Sequence, residues 1–397
     1  MATTSRWFPT ARLAVALANA GCTIEAVCPP GHPITKTGVV SRTFTYRGLA
    51  PLRSLEHAIT ATNPVLIVSG DDLATWHLHC LYLAKKQLRD RGAAICSLIE
   101  RSLGSPQHYP VVGDRAAFMQ LSKEEGVLIP HTITISNSAE LNPCLAQIGF
   151  PAVLKANGTS GGTGVRVVQN LEEAAGAVKF LEAPPLLARA AKRAIFDRDR
   201  TLVLPALQRK RSKVTAQGFV RGREATSALA CWKGTVLASL HFEVLQKSHA
   251  SGHSTVLRRI EHPEMAAAAE TMVRRLELSG LHGFDFMLEA DSRAAYLIEI
   301  NPRATQVGHL SFGPGHDLPS ALVSAVTDLP VSAAPKISDN DTIALFPQEW
   351  LRDPASPFLR SGYHDVPWDE PALLRACTRE RDSGAVFGWL QRFLRKR

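Results

Sequence analysis

The sequence has no hydrophobic run long enough to cross a lipid bilayer, and its cysteines form no metal or disulfide pattern. The seven cysteines are scattered over 397 residues, with no Cys-x-x-Cys pair and no histidine spacing suited to zinc. An odd, dispersed set is typical of reduced thiols in a cytoplasmic protein. The apolar start RLAVALANAGC (12–22) has the shape of a helix closed by Gly21 rather than of a signal segment. We therefore expect a cytoplasmic protein without a membrane partner.

Aromatic residues are also scarce, at 7% of the chain, and no aromatic–basic interleaving of the RNA-binding kind appears. The formal net charge of +9 suits anionic ligands, but only QRKRSK (208–213) and the terminal LRKR (394–397) concentrate it. A solvated loop and a solvated tail explain both runs more simply. The sequence therefore predicts no specific nucleic-acid partner. Its 45% hydrophobic content predicts packed globular units, two or three for this length.

Residues 1–110 alternate helices and strands, which is the pattern of a doubly wound α/β unit. The first strand is short, because only seven residues precede the first helix. After that helix, the pattern predicts strands at 23–28, 39–46 and 64–72, with a second helix at 53–62. Asp71 and Asp72 fall at the carboxyl end of a strand, where ligands of open α/β sheets bind. A solvated turn explains these two aspartates equally well.

A glycine-rich stretch, KANGTSGGTGVRVV (155–168), indicates a phosphate-binding loop. Glycines let backbone N–H groups approach an anion closely, and Lys155 precedes them. The Gly-Lys-Ser/Thr ending of a Walker A loop is missing, and the alternating valines after Gly164 predict a strand rather than the helix of a dinucleotide fold. The pattern is therefore strand, glycine loop, strand. An ordinary flexible hairpin is the alternative.

A second group of polar residues lies in GFDFMLEADSRAAYLIEINPR (283–303), which predicts two strands joined by a polar turn. Side chains alternate along a strand, so Glu299 and Asn301 share one face, and Asp285 lies on the neighbouring strand. Close carboxylates in apolar surroundings repel one another unless a cation bridges them, and oxygen ligands of this kind suit Mg²⁺. Arg303, on the face of Glu299, could reach a transferring phosphate. A solvated hairpin edge is the alternative.

The two motifs together, in this order and at this separation, resemble the ATP-grasp superfamily. The resemblance implies an α/β and α+β protein in which an ATP-grasp fold follows a Rossmann-like pre-ATP-grasp domain. The implied boundaries are 1–110 for the first domain, 111–330 for the ATP-grasp domain with a mobile lid at about 131–217, and 331–397 for a C-terminal extension.

The resemblance also implies roles for particular residues. Lys155 matches the lysine on the α- and β-phosphates, and residues 158–164, with Gly161, Gly162 and Gly164, match the loop that closes over the triphosphate. Gln217 and Val220 match the hinge that meets adenine, and Glu224 matches the ribose ligand, although a surface glutamate is the simpler explanation of Glu224. The remaining matches are the magnesium ligands Asp285, Glu299 and Asn301, and the arginine aimed at the γ-phosphate or the acyl phosphate, Arg303.

Three departures from the family pattern concern the site. Arg115 stands where most relatives carry a second ATP-binding lysine, and a guanidinium keeps that charge. Asp285 is a glutamate in several relatives. The bicarbonate and biotin signature residues of biotin carboxylases are not found in residues 241–262.

Substrate contacts are harder to place. Arg258 or Arg259 could hold a substrate carboxylate, and a solvated strand end explains both equally well. His316 and Asp317 could face the acceptor, although Asp317 as a helix cap is the plainer account.

The implied activity is that of an ADP-forming, ATP-dependent carboxylate–amine ligase. ATP phosphorylates a small-molecule carboxylate, and an amine displaces the acyl phosphate, with Mg²⁺ or Mn²⁺ as the metal and Arg303, Lys155 and Arg258 as catalytic groups. The resemblance also implies a homodimer. Two alternatives stay open: another ATP-grasp chemistry, such as biotin-carboxylase-like carboxylation or phosphoryl transfer, and a non-catalytic nucleotide-binding module.

Overall fold

The computed structural model of the chain describes residues 1–135, 140–157, 164–183, 212–250 and 252–377. Its α-helices are α1 Phe8–Asn19, α2 Pro51–Thr62, α3 Asp72–Lys86, α4 Ala93–Leu103, α5 Tyr109–Val112, α6 Arg115–Glu124, α7 Leu141–Ile148, α8 Leu171–Glu182, α9 Pro263–Arg275, α10 Leu318–Thr327, α11 Gln348–Arg352 and α12 Phe358–Ser361. Its strands are β1 Ile24–Cys28, β2 Val40–Thr45, β3 Thr132–Ile135, β4 Ala152–Ala156, β5 Val165–Val168, β6 Val214–Gly218, β7 Gly222–Trp232, β8 Thr235–Lys247, β9 Ser254–Arg259, β10 Gly280–Glu289, β11 Ala295–Asn301, β12 Thr342–Leu345 and β13 Tyr363–Asp365. Mixed helix and sheet of this kind confirms the α/β and α+β prediction.

The N-terminal unit is a small parallel α/β layer. Strands β1 and β2 pair in parallel, and Ala2 bridges both Val27 and Ser69 in the same direction. The first strand is thus present and short, as expected. The predicted strand 64–72 is wrong in its extent, because only Ser69 forms a bridge there. The chain turns early because the Asp71 side chain accepts the Ala74 N–H at 2.9 Å and begins α3.

A four-stranded antiparallel sheet carries the predicted phosphate loop. Its strand order is β3-β6-β4-β5, and α7 and α8 pack against it through apolar residues such as Leu145, Leu154 and Val178. Strands β4 and β5 pair antiparallel, with Lys155 opposite Val165, which confirms the strand–loop–strand pattern. The sheet therefore holds both ends of the glycine stretch.

A larger, seven-stranded sheet forms the centre of the molecule, in the order β11-β10-β7-β8-β9-β12-β13. One face packs on α6 and α9, and the other packs on α1 and α10. The hairpin β10–β11 confirms the strand pair predicted at 283–303. Strands β12 and β13 extend the same sheet beyond β9, so residues 342–345 and 363–365 of the segment predicted as a C-terminal extension are part of the main body.

The link 219–221 connects the four-stranded sheet to the seven-stranded sheet. It joins β6 of the small sheet to β7 of the large one. The edge of the small sheet that carries the glycine stretch and the β10–β11 hairpin of the large sheet approach each other, as the contacts described next show.

Candidate active site

The first component of the site is the carboxylate pair on the β10–β11 hairpin. Asp285 and Glu299 are direct partners in the antiparallel register, so their side chains share one face of the sheet. Asp285 accepts hydrogen bonds from Thr226 Oγ1 at 2.8 Å and from Asn301 Nδ2 at 2.9 Å. Burial, and next the charge of Glu299, raise the pKa of Asp285 to about 6. The pair is therefore an electrostatically costly arrangement that a cation would relieve.

Arg115 neutralises Glu299 from the other side of the cleft. Its Nη2 lies 3.0 Å from Glu299 Oε1, and its Nη1 donates to the Ala156 carbonyl at 2.8 Å. Asp114 caps α6 through the N–H groups of residues 116 and 117, which places Arg115 in the first turn of that helix. The Arg115 Nε–H is buried and has no hydrogen-bond partner among the residues that the structure describes. An anionic ligand would satisfy this donor.

Lys155 is the second cation of the cleft, and its side chain is nearly inaccessible. The residue is 5% exposed, and burial lowers its pKa to about 8, with Arg115 acting in the same direction and Glu299 opposing both. Within the described ranges, no hydrogen bond from its Nζ is found. Gly164 is buried, and its carbonyl accepts the Ala156 N–H at 2.8 Å. Gly161, Gly162 and the rest of 158–163 lie outside the described residues.

Arg303 lies beside the carboxylates and is tied to the N-terminal unit. Its Nη2 donates to Asn301 Oδ1 at 3.1 Å, and its Nε lies 3.3 Å from Asp72 Oδ1. The Trp7 ring covers the guanidinium at 4.9 Å. Sequence analysis placed Arg303 correctly on the Glu299 face but missed its partnership with Asp72, and it missed Trp7 altogether.

The predicted adenine and ribose residues are close to the link between the sheets. Gln217 is buried and donates to Thr132 Oγ1 at 3.1 Å, while Val220 lies within the link itself. Glu224 is two residues from Thr226 on β7 and therefore shares the Asp285 face. Lys247 Nζ donates to Glu224 Oε1 at 2.6 Å. No sequence signal pointed to Lys247, because the strand register that brings it there is a long-range property.

The structure does not bring Arg258 to this site. Arg258 forms an ion pair with Glu243 of β8. Glu243 is in register with Ala225 of β7, and Ala225 is in register with Phe286 of β10. Since Phe286 follows Asp285 on the strand, all of these side chains lie on the face away from Asp285. Arg223 and Arg293 approach the same Glu243 at 3.4 Å. Arg258 is therefore an ion-pair partner behind the sheet.

Arg259 is the arginine that shares the site face. It stands in register with Phe242, Thr226 and Asp285 across β8, β7 and β10. His316 and Asp317 lie apart from the carboxylate pair in their contacts. His316 Nδ1 meets the Ser239 carbonyl at 2.8 Å, and Asp317 caps α10. The plainer account of Asp317 holds. Asp71 is likewise a helix cap.

The residues present fit a single oxygen-ligated cation. Among the described residues, no group of three or more His, Cys, Asp and Glu side chains could hold a metal, which excludes a zinc-type or all-carboxylate centre there. Asp285, Glu299 and the Asn301 amide oxygen instead form the sparse set that Mg²⁺ accepts when a substrate supplies further oxygens. Burial, and next the charge of Glu299, raise the pKa of Asp285, and a bound cation would oppose both effects by favouring the ionised carboxylate.

Sequence comparison places the middle of the chain in a nucleotide-binding family. Residues 114–311 match the family model described as "Carbamoyl-phosphate synthase L chain, ATP binding domain". The chain is 25% identical over 235 residues to the carbamoyl phosphate synthase arginine-specific large chain of Geobacillus stearothermophilus, covering 58% of this chain and 20% of that protein. It is 26% identical over 227 residues to the biotin carboxylase of Haemophilus influenzae, covering 56% of this chain and 47% of that protein. The chain thus spans half or less of the length of these relatives.

Solved structures show the same fold over most of the chain. The carboxyaminoimidazole ribonucleotide synthase of Aspergillus clavatus, complexed with ATP, superposes with a TM-score of 0.59 at 15% identity, covering 84% of this chain and 77% of that one. The biotin carboxylase domain of the Hydrogenobacter thermophilus 2-oxoglutarate carboxylase, a dimer in complex with MgADP, ADP and bicarbonate, superposes with a TM-score of 0.56 at 14% identity, covering 84% and 70%.

No helix in the described ranges is both long and apolar enough to span a membrane. The family match covers both motifs, from the cap of α6 through the carboxylate hairpin to Ser311. The shared fold covers 84% of the chain. On these grounds the chain belongs to the ATP-grasp superfamily.

Proposed function

We propose that this protein is an ATP-dependent, magnesium-requiring ligase that activates a small carboxylate as an acyl phosphate and transfers the acyl group to an amine. One observation carries the proposal: Arg115 joins the carboxylate Glu299 of the large sheet to the backbone of β4, the strand of Lys155, in the small sheet. A phosphate-binding lysine and a magnesium-binding carboxylate thereby face one cleft, as triphosphate chemistry requires.

The cleft supplies positive charge for a nucleoside triphosphate. Lys155 and Arg115 provide two nearly buried cations, and the Arg115 Nε–H, which has no partner within the described ranges, is a donor for a phosphate oxygen. We assign the adenine to the link near Val220 with Gln217 beside it, and the ribose to Glu224. Gly161, Gly162 and Gly164 belong to the loop that we expect over the phosphates. A Mg²⁺ held by Asp285, Glu299 and Asn301 would neutralise charge on the triphosphate.

Two displacement steps complete the reaction. An oxygen of the substrate carboxylate attacks the γ-phosphorus, the bond to the β–γ bridging oxygen breaks, and ADP leaves. The amine nitrogen then attacks the carbonyl carbon of the acyl phosphate, loses its proton, and inorganic phosphate leaves. Arg303 stabilises the transferring phosphoryl group, and Arg259, on the same sheet face, is the better candidate than Arg258 for holding the acid.

A second candidate is carboxylation, in which bicarbonate is the acid that ATP activates. The names of the relatives favour it: carbamoyl phosphate synthase, biotin carboxylase and carboxyaminoimidazole ribonucleotide synthase, with bicarbonate bound in one solved structure. A non-catalytic nucleotide-binding module is disfavoured, because Lys155, Asp285, Glu299, Asn301 and Arg303 are all present together. Since one structural relative is a dimer, we also propose a homodimer, which light scattering of the full chain would test.

A phosphate-release screen tests the function. Purified full-length protein with MgATP is offered bicarbonate alone, pooled carboxylic acids alone, pooled amines alone, and each acid source with the amines. A ligase releases phosphate above background only when an acid and an amine are both present. Release with bicarbonate alone would favour the second candidate, and ATP binding without release in any arm would favour the module.

Two variants make the screen specific. Glu299→Gln removes the proposed magnesium ligand and should abolish release. Glu172→Gln changes an exposed glutamate on α8 and should leave release unchanged. A signal that persists in Glu299→Gln would remove Glu299 from the mechanism.

A further inference from the structure

The N-terminal unit reaches into the ATP-grasp site at one guanidinium. Arg303 is 14% exposed in its side chain, and two residues from the first 110 contact it directly. Asp72 Oδ1 lies 3.3 Å from Arg303 Nε, and the Trp7 ring lies 4.9 Å from the guanidinium carbon. Asn301 holds the other edge through Nη2. Contacts at two edges and over one face thus fix the plane of the Arg303 guanidinium.

The two N-terminal contacts are themselves fixed to each other. Asp72 begins α3, directly after the cap residue Asp71. The Asp71 carboxylate accepts the Thr4 N–H at 2.6 Å and the Thr3 hydroxyl at 2.7 Å, so it holds the loop that leads into Trp7. A single capping carboxylate therefore locks the loop of Trp7 to the helix start of Asp72.

The Asp72–Arg303 pair adds little to stability. Asp72 keeps 39% of its side chain exposed, and half-exposed ion pairs of this kind contribute little to the folding free energy. What the pair does is restrict an arginine that otherwise has many rotamers. A cation that contacts a transferring phosphate lowers the reaction barrier most when its orientation is fixed before the ligand arrives.

We propose that Asp72 and Trp7 are positioning residues that orient Arg303 toward the γ-phosphate, so that the catalytic constellation is incomplete without the N-terminal unit. The proposal rests on the proposed function, because it takes Arg303 as the γ-phosphate ligand. Neither residue touches the nucleotide in this scheme. Both act through the direction of the guanidinium.

The test compares the binding of ADP and of the non-hydrolysable analogue AMP-PNP, each with Mg²⁺, by isothermal titration calorimetry on the full chain. The ratio of the AMP-PNP affinity to the ADP affinity reports how much the γ-phosphate contributes to binding. We expect Asp72→Asn and Trp7→Leu each to lower this ratio by roughly 5- to 10-fold, while MgADP affinity stays within about twofold. Asp72→Glu and Trp7→Phe keep the charge and the ring and should retain most of the ratio.

Two further variants separate positioning from general damage. Arg303→Met should lower the γ-phosphate preference by more than either single variant does, and Asp72→Asn added to it should cause no further loss, because the partner is gone. Asp339→Asn, at a fully exposed aspartate, should change nothing. Thermal midpoints within about 2 °C of wild type would show that the variants are folded.

The outcomes are distinct. An unchanged ratio in Asp72→Asn and Trp7→Leu, or an equal further loss in the Arg303→Met background, would overturn the positioning role while leaving the proposed function intact. Failure of the wild-type protein to bind MgADP at all would overturn the proposed function itself.

Discussion

The guanidinium of Arg115 lies 3.0 Å from Glu299 and donates to the Ala156 carbonyl at 2.8 Å, so one side chain joins both sheets across the cleft. The ion pair with Arg115 therefore competes with metal binding for the Glu299 carboxylate. In the described part of the chain, the buried Arg115 Nε–H has no hydrogen-bond acceptor. A phosphate oxygen would satisfy that donor and draw the arginine away from Glu299.

Arg115→Gln should weaken ATP binding by roughly tenfold, because a charge-assisted contact to phosphate is lost. In the absence of nucleotide, the same variant should bind Mn²⁺ more tightly than wild type does, since Glu299 loses the cation that competes with the metal. Calorimetry measures the first effect, and the electron paramagnetic resonance signal of free Mn²⁺ measures the second. Arg275→Gln, an arginine paired with Glu125 on the surface, is the control. Mn²⁺ affinity equal to wild type would contradict competition at Glu299.

Asp285→Asn should stabilise the metal-free protein. The substitution removes one of two adjacent carboxylates, and the amide can still accept from Asn301 and donate to Thr226. Because burial and Glu299 raise the pKa of Asp285 from 3.8 to about 6, its ionised form at pH 7 costs folding free energy, of the order of 3 kcal/mol. We expect the thermal midpoint in EDTA to rise by about 2 to 5 °C. The added stabilisation by Mg²⁺ with ATP should disappear.

Scanning calorimetry with and without metal checks this pair of effects. Asp291→Asn, in the exposed turn of the same hairpin, should leave both unchanged. A lower midpoint for Asp285→Asn in EDTA would show that the carboxylate stabilises the fold without a metal.

The site could be predicted from sequence where short-range patterns determine it. Glu299 and Asn301 alternate with isoleucines, and Asp285 lies between phenylalanines, so strand periodicity alone places their side chains on defined faces. Lys155 precedes glycines within one hairpin. These are local relationships, and the structure has the hairpins as expected.

Long-range relationships could not be predicted in the same way. Asp72 and Arg303 are separated by more than two hundred residues, and nothing in either segment specifies the other. Arg258 and Arg259 are neighbours whose faces depend on the register of β9 against β8, and β8 contains irregularities near Val244 and Gln246. A shift of one residue exchanges the faces of such a pair, so sequence left both open.

The two neighbouring arginines should respond differently to substitution. Arg259→Gln should lower the rate of the coupled reaction at subsaturating acid by tenfold or more, roughly the value of a charged contact to a carboxylate. Arg258→Gln should leave the rate unchanged and lower the free energy of unfolding by about 1 kcal/mol, because Glu243 keeps Arg223 and Arg293. Steady-state kinetics and urea unfolding of both variants measure this contrast. A loss of rate in Arg258→Gln alone would restore the sequence-based assignment.

Acid should destabilise the protein at the contact between the N-terminal helices and β10. His79 is buried and stacks on Tyr109 with ring centroids 3.8 Å apart. The nearby His282 is also buried, and its Nε2–H donates to the Ser279 carbonyl at 2.7 Å. Burial lowers the pKa of His79 from 6.5 to about 3, and that of His282 from 6.5 to about 4.

The sign follows from proton binding. Between pH 6.5 and about 4 the unfolded chain binds protons at these positions and the folded chain does not, so the free energy of unfolding falls as the pH falls. At pH 5 the linkage amounts to about 2 kcal/mol for each histidine. Urea unfolding from pH 7.5 to 5 measures the slope. His79→Phe keeps a stacked ring without a titrating nitrogen and should make the slope shallower, whereas His249→Ala, at an exposed histidine, should not. Equal slopes in wild type and His79→Phe would show that another group is responsible.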